Sequence, residues 1–383
     1  MNKQISIDYA AIKSLPELLE ILHKNEVPSN LLWRFIGIYQ EQKARKAGIP
    51  LFGQFELTPL CNLDCKMCYV HLNHEQLDGA KMLPAEWWKD IMRQSHSLGM
   101  MNATLTGGEC LIYPEFDDIY MLLRSMGVKI WIKTNGILLN KERIDFFTKY
   151  PPRGITVSLY GSSNEAYYTV TGHGVFDIVY SNLLQLKKTD IPVSIAITPS
   201  KYMFDDMAQL LELVKKLDIP HLVNLMLFPP REETGRTAGD LTNEEYAEIF
   251  SMMKARKSPH TAYQMPIEEP DNIKKADHRF GLPCGAGRSS FTINWNGSML
   301  ACDNLNSLKV DLLSTSFADA WKAIHSDALS YPVPIECNEC KYNSICYGCV
   351  AYRGDRENPG HCNPQICERA RLFIQEGIYT LEK

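Results

Sequence analysis

Three cysteines stand at Cys-x3-Cys-x2-Cys spacing in Thr58-Pro-Leu-Cys61-Asn-Leu-Asp-Cys65-Lys-Met-Cys68-Tyr69, directly after the apolar, strand-like run Phe52 to Leu57. Three thiolates on one tight loop can hold three irons of a [4Fe–4S] cube. The fourth iron is then left without a protein ligand and can take an exogenous one. The same thiols can also serve a structural zinc, which takes four ligands, usually as two pairs brought together from apart in the chain. His71 and His74 are near enough in sequence to complete such a site.

A second group of cysteines lies far along the chain. Of twelve in all, three are in this loop, one is Cys110, and eight follow residue 283. Cys284 and Cys302 flank a strong hairpin signal, Ser290–Trp295 and Ser298–Ala301 around Asn296-Gly297. Then come Cys337-x2-Cys340-x5-Cys346-x2-Cys349, Cys362 and Cys367. Eight thiolates are the number two fully ligated cubes require, while Cys-x2-Cys pairs also serve zinc ribbons.

The chain must position these groups on an ordinary globular frame. Its 383 residues suit two domains or one large domain with an appendage, and 45% hydrophobic with 22% charged residues is a globular composition. A net charge of −5 gives no basic face for nucleic acid. The start lacks an apolar signal core and no apolar run reaches membrane-spanning length, so a cytoplasmic location is expected, with no membrane partner. In that reducing setting twelve cysteines point to metal or cluster ligation rather than disulfides.

Residues 1–50 read as a peripheral helical segment, with Leu15, Leu18, Leu19 and Leu22 at helical spacing and a second helix around Asn30–Lys46. It is too short for a winged-helix peptide-binding domain and is expected to cap the domain beginning at residue 51. Its basic patch Lys43, Arg45, Lys46 reads as a solvated helix end or a contact for an acidic partner.

From residue 51 to about 260, strands alternate with helices. The expected strands are Phe52–Leu57, Ala103–Thr106, Val128–Thr134, Ile155–Leu159, Val193–Thr198 and Val223–Phe228. The helices are Pro84–Ser97, Glu115–Met126, Lys141–Lys149, Val175–Lys187, Met203–Lys216 and Asn243–Lys257, the last with a Thr242/Glu245 capping box. Six strand–helix units imply a parallel sheet, either doubly wound or barrel-like. In barrel-like sheets ligands sit at the carboxyl ends of the strands. There stand Thr106-Gly107-Gly108-Glu109, Asn135-Gly136, and Ser158-Leu-Tyr160-Gly161. Thr106–Glu109 suits a close-approach ligand site or a glutamate-capped tight turn, and Asn-Gly is also a common turn pair.

The cysteine loop resembles the signature of the radical S-adenosylmethionine (radical SAM) enzymes, and Gly107-Gly108-Glu109 looks like that family's Gly-Gly-Glu motif. The cysteine-rich end resembles the family's SPASM extension. The resemblance implies an α/β fold: a partial (β/α)6 TIM-like barrel over residues 51–262, then a small α+β SPASM domain over 263–383. It also implies that Cys61, Cys65 and Cys68 hold a cluster whose free iron chelates SAM. Glu109 would accept from the SAM ammonium, and Asn135 and Ser158 would approach its ribose and carboxylate. Met67 stands where the family has an aromatic, and Tyr69 is expected to shield the cluster instead. Cys110 stands where the family has proline; it is either a buried filler or a thiol close to the radical site. His173 in Thr171-Gly-His-Gly174 reads as a surface residue, and Arg231 or Arg236 as a carboxylate contact or a surface ion pair.

By the same resemblance the end carries two auxiliary [4Fe–4S] clusters. Cys337, Cys340, Cys346 and Cys362 would hold the outer one. Cys284, Cys302 and Cys349 would hold the inner one, with Cys367 as a further ligand. The implied activity is reductive cleavage of SAM to a 5′-deoxyadenosyl radical, hydrogen abstraction, and oxidative modification, such as cross-linking, of a ribosomally made peptide or protein. An electron donor such as flavodoxin or ferredoxin is implied as well. Rival activities are formylglycine formation on a sulfatase, peptide epimerisation with Cys110 as hydrogen donor, and work on a small cofactor precursor such as a tetrapyrrole. The non-enzyme rival is a zinc-binding scaffold.

Overall fold

The computed structural model describes residues 7–255 and 281–377, apart from 10, 74, 78–81, 226, 228–229, 232–233, 235–238, 283, 339, 343–345, 347–353, 355–357 and 359. The strands are β1 (Phe52–Glu56), β2 (Asn102–Thr106), β3 (Lys129–Thr134), β4 (Gly154–Ser158), β5 (Val193–Ile197), β6 (His221–Val223), β7 (Ser290–Ile293), β8 (Ser298–Leu300) and β9 (Lys309–Asp311). The helices are α1 (Leu15–Lys24), α2 (Leu32–Ala47), α3 (Ala85–Ser97), α4 (Phe116–Ser125), α5 (Lys141–Lys149), α6 (Asn164–Thr171), α7 (Phe176–Leu186), α8 (Met207–Leu217), α9 (Asn243–Ala255), α10 (Phe317–Ser330) and α11 (Pro364–Gln375).

Side-chain alternation along the strands decides the architecture. Phe55, Ala103, Leu105, Ile130, Ile132, Ile155, Val157, Ile195, Ile197, Phe291 and Ile293 are all buried on one face. The register brings Gln54, Glu56, Thr104, Thr106, Trp131, Lys133, Thr156, Ser158 and Ser194 to the other. The Thr156 and Ser194 hydroxyls meet there at 3.0 Å. A doubly wound sheet would be apolar on both faces. Here helices cover one face, and the other is an open polar trough, as a partial barrel requires.

The apolar face packs edge-on aromatics. Phe55 lies 6.3 Å from Trp88 of α3 and 5.8 Å from Phe291, which lies 5.1 Å from Phe317 of α10.

Strand order is β6-β5-β4-β3-β2-β1-β7-β8-β9. The expected hairpin forms, but β7 also pairs in parallel with β1, Gln54 opposite Thr292. The cysteine-rich end therefore continues the barrel sheet past β1. Residues 262 and 263, the expected boundary, lie outside the described part. Two further differences stand out. The sixth strand ends at Val223, starting straight after Pro220 rather than at Val223. An unexpected helix, α6, precedes α7; Ser163 caps it by accepting from Ala166 N. The Thr242/Glu245 box closes in both directions, at 2.6 and 3.2 Å.

α1 and α2 bury a small core of their own, with Ile12, Leu18, Leu22, Val27 and Phe35. Gly48, ending α2, accepts from Trp321 Nε1 at 2.7 Å, while Trp33 at its start lies 4.4 Å under the Arg153 guanidinium. The segment thus spans the amino-terminal edge of the sheet, as a cap does. Among the described residues no helix is long and apolar enough to cross a membrane.

Candidate active site

The cysteine loop leaves β1 and is fastened by its backbone from three directions. Gly108 N donates to Thr58 O (2.7 Å) and Glu109 N to Leu60 O (2.9 Å). The carbonyls of Val170 and Thr171, left unsatisfied where α6 ends, accept from Lys66 N (3.0 Å) and Asp64 N (2.9 Å). Asn135 Nδ2 donates to Asn62 Oδ1 at 2.7 Å. The two glycines are required by contact. Gly107 has φ +147°, and a Cβ on it would overlap Thr58 O; one on Gly108 would overlap Leu60 O and lie 2.5 Å from Pro59 O. Their close approach is thus to the cysteine loop itself.

Around the sulfurs the donors are N–H groups. Leu63 N lies 3.4 Å from Cys61 Sγ, Asn135 Nδ2 3.6 Å from the same sulfur, and His71 N 3.3 Å from Cys68 Sγ. Such donors answer sulfur that carries negative charge. Burial, then Glu109, push the Cys61 thiol up to about 12, so a bare thiolate is disfavoured and iron is what would deprotonate it. Among the described residues no three His, Cys, Asp or Glu side chains converge on one ion. The His71 ring sits against Pro59 O (3.4 Å) and Asp64 (3.5 Å), and His74 is not among the described residues. The loop's chemistry fits a cube with separated corners.

Glu109 is buried and its carboxylate is engaged. Oε1 accepts from Leu111 N (3.1 Å); Oε2 accepts from Thr134 Oγ1 (2.9 Å) and Asn135 N (2.8 Å). Burial raises its pKa and these donors pull it back. It thereby ties the end of β2 to the end of β3. Ser158 ends β4 half-buried on the trough face, and its hydroxyl bonds to Tyr160. Tyr160, which the sequence marks only as part of its segment, faces all three loop cysteines, and burial, then these cysteines, raise its pKa. Its position in the loop directly after β4, two residues beyond Ser158, is the signal that could have found it. Met67 is buried in the core, and His173 is exposed.

Tyr69 belongs to a polar network that sequence reading missed. Arg231 forms a bidentate pair with Glu56, Nη1–Oε2 2.8 Å and Nη2–Oε1 2.9 Å, and its guanidinium lies 5.5 Å from the Tyr69 ring centre. The pair is buried, so Arg231 is not a surface ion pair; Arg236 lies outside the described residues. Two residues down β1, Gln54 Nε2 donates to Asp303 Oδ2 (2.6 Å) and Gln54 Oε1 accepts from Lys133 Nζ (2.9 Å). Asp303 follows Cys302 directly. A glutamate within an otherwise apolar-alternating strand was the available signal.

Cys110 sits in the core with no exposed surface, its thiol donating to Lys133 O at 3.4 Å. Burial and Glu109 push that thiol well up. This is the packing role, not a thiol on the trough face. Cys110→Ala is expected to lower stability by about 1–2 kcal/mol in denaturant titration while leaving product yield per intact protein unchanged. Loss of product at full stability would restore the hydrogen-donor idea.

In the cysteine-rich end, Cys337 and Cys362 sulfurs lie 3.5 Å apart, and Cys340 N donates to Cys337 O at 3.4 Å. Burial and Cys337, then Cys367, raise the Cys362 pKa, so Cys367 stands beside the outer set. Cys302 packs against the small apolar cluster of Leu282, Ala286, Leu305 and Ala328. Cys349 is outside the described residues, while Cys346 is described, its N donating to Tyr342 O at 2.7 Å.

Fold and site together define an α/β enzyme frame: a one-sided parallel trough with a three-thiol loop at the carboxyl edge of its strands. Residues 55–241 match the profile of the Radical SAM superfamily. It is similar to the AdoMet-dependent heme synthase of Methanosarcina barkeri, 26% identical over 322 residues, 78% of this chain and 90% of the relative. It is similar also to the antilisterial bacteriocin subtilosin biosynthesis protein AlbA of Bacillus subtilis, 29% identical over 349 residues, 87% of this chain and 74% of AlbA. Among solved structures, Streptococcus suis SuiB bound to precursor peptide SuiA shares the fold, with TM-score 0.63, 18% identity, and 92% of this chain and 87% of SuiB covered. That shared fold runs on into the cysteine-rich end.

Proposed function

We propose that the protein is a radical SAM oxidoreductase with a SPASM extension that modifies, by cross-linking, a ribosomally made peptide. The observation that carries this is the placing of two thiol groups at opposite edges of one trough. The Cys61–Cys68 loop stands at the carboxyl end of β1. By the β7–β8 register Cys302 falls beyond Leu300, toward the amino end. Glu56, Gln54, Arg231 and Asp303 fill the face between them.

Cys61, Cys65 and Cys68 hold the SAM-binding cube, which when loaded supplies a hydrogen-abstracting radical. Gly107 and Gly108 keep its loop against β2, and Tyr69 and Tyr160 screen it from water. Glu109 and Asn135 orient the strand ends that a cofactor would meet, and Ser158 offers a hydroxyl from β4. Cys284, Cys302, Cys337, Cys340, Cys346, Cys349, Cys362 and Cys367 would hold two auxiliary cubes, which would supply an acceptor for the substrate electron. A flavodoxin- or ferredoxin-like donor in a reducing cytoplasm supplies the first electron.

A peptide fits best because the trough is open along one side, as an extended chain needs, and AlbA, a bacteriocin biosynthesis protein, matches over most of the chain. The heme synthase match over 90% of that relative favours a second reading, oxidation of a tetrapyrrole side chain.

Anaerobic reconstitution tests the assignment. Wild type should hold about twelve irons, falling to about eight in the Cys61/Cys65/Cys68→Ala variant, with 5′-deoxyadenosine formation abolished. Zinc, or only about four irons in wild type, would remove the auxiliary clusters. Incubation with a candidate peptide should then give a product lighter by two hydrogens; a product only from a porphyrin would decide for the second reading.

A further inference from the structure

α7 buries an apolar stripe, Val179, Leu183 and Leu186, and one polar residue stands within it: Asn182, 7% exposed. A buried amide must find partners. Asn182 spends its amide hydrogens on one turn, Nδ2 donating to Gly136 O at 2.9 Å and to Ile137 O at 3.1 Å. Carbonyls only accept, so the nitrogen and not the oxygen must face the turn. Val179, one helical turn earlier, closes on the same place. A Cβ on Gly136, whose φ is +84°, would lie 3.2 Å from Val179 Cγ1 and 2.8 Å from Val157 Cγ1. Gly136 O accepts as well from Leu139 N, at 3.3 Å.

The turn in its own right orients the Asn135 side chain. Ile137 N donates to Asn135 Oδ1 at 3.0 Å. That bond fixes which end of the Asn135 amide is oxygen, for an N–H can only donate. The amide nitrogen is thereby aimed the other way, at Asn62 Oδ1 (2.7 Å) and at Cys61 Sγ (3.6 Å). Glu109 holds the backbone of the same residue, its Oε2 accepting from Asn135 N at 2.8 Å. A chain of contacts therefore runs from the buried face of α7, through one turn, to a sulfur of the three-cysteine loop.

We propose that Asn182 is a positioning residue for the SAM-binding cluster: through the Gly136–Ile137 turn it keeps the Asn135 amide donating to the Cys61 sulfur. This rests on the reading of Cys61, Cys65 and Cys68 as ligands of that cluster. An N–H donor at a cluster sulfur favours the reduced, more negative state, and hydrogen bonds to the sulfurs are among the levers on potential. Without Asn182 the Gly136 and Ile137 carbonyls each lose a donor beneath α7. The Ile137 peptide is then free to turn, and Asn135 Oδ1 loses the N–H that orients it. The Asn135 amide rotates off the sulfur, and reduction ahead of SAM cleavage needs a stronger donor.

Redox titration of the reconstituted full chain, followed by electron paramagnetic resonance, tests this. Asn182→Leu keeps the volume and removes the donors. It should move the midpoint of the SAM-responsive signal to more negative values. The expected size is about a tenfold fall in the reduced-to-oxidised ratio at fixed potential, or about 59 mV for one electron. Signals that do not respond to SAM should stay in place. Asn135→Ala should give at least that shift, and adding Asn182→Leu to it should add nothing. In the chain without iron, amide hydrogen exchange across Gly136 and Ile137 should quicken in Asn182→Leu while the β-strands keep theirs. An unmoved midpoint, a shift shared by every cluster signal, or a full further shift on the Asn135→Ala background overturns the proposal. Unchanged exchange at the turn does so too. Should Asn182→Leu not fold, Asn182→Ala decides by the same readings. A wild-type chain with no SAM-responsive signal would instead sink the cluster reading itself, which is a separate result.

Discussion

Replacing Gly108 by alanine is expected to cut 5′-deoxyadenosine formation by about 100-fold or more, in a protein that still folds. The new Cβ would overlap the Leu60 carbonyl and come within 2.5 Å of the Pro59 carbonyl. Both are backbone atoms of the cysteine loop, so no side chain can swing aside. Relief requires the loop to move off β2, which lengthens Gly108 N–Thr58 O and Glu109 N–Leu60 O, now 2.7 and 2.9 Å. A shift of about 1 Å in the groups that hold a reacting centre is enough for a loss of that size. The stability cost should be about 1–3 kcal/mol, because the strain is confined to one contact. Gly37→Ala is the matched control: nothing lies within 4 Å of a Cβ there, and in α2 alanine should stabilise by about 0.5–1 kcal/mol. Turnover per iron, measured beside thermal unfolding, separates loop displacement from simple unfolding. Wild-type turnover in Gly108→Ala would sink the view that this contact sets the loop.

What the sequence made legible was local. The Thr242/Glu245 box and the Asn296-Gly297 hairpin each lie within a few residues, and each forms as read. The strand alternation Phe-Gly-Gln-Phe-Glu, repeated in Ile-Trp-Ile-Lys and Ile-Thr-Val-Ser, already contained the one-sided sheet and would have chosen the partial barrel without any family likeness. The rest depends on distant partners. β7 joins β1 across more than half the chain, and Glu56 finds Arg231 at a separation of 175 residues. Gly107 and Gly108 announced a close approach but not what approaches, and the neighbour proved to be the protein's own loop. Glu109 likewise announced an acceptor without showing that Leu111, Thr134 and Asn135 already donate to it.

Arg231→Met is expected to destabilise the fold by about 3–5 kcal/mol at alkaline pH and by clearly less in mild acid. Glu56 is 0% exposed and Arg231 6%, and the bidentate bonds of 2.8 and 2.9 Å are the guanidinium's answer to a carboxylate that water cannot reach. Burial raises Glu56 from 4.5 to about 7 even with Arg231 pulling it down, while Glu56 raises Arg231. The two directions agree on one point: the pair is worth little in total, but either charge left alone is costly. A carboxyl whose folded pKa lies above its unfolded value binds its proton more tightly when folded. Its contribution to stability is therefore most favourable below 4.5 and declines as pH rises through the folded value. Without Arg231 that folded value climbs further, and each pH unit within the widened window removes about 1.4 kcal/mol. Urea titrations near pH 6 and pH 8.5 should therefore give a smaller loss at the lower pH, where Glu56 folds as the neutral acid. Glu56→Gln/Arg231→Met should recover most of the deficit, because the stranded charge is gone. Tyr69, whose ring lies 5.5 Å from the guanidinium, loses that support in both variants. Cleavage of SAM should therefore stay low even where stability returns. Equal losses at the two pH values, or a double variant no more stable than Arg231→Met, would show that Glu56 is not the stranded group.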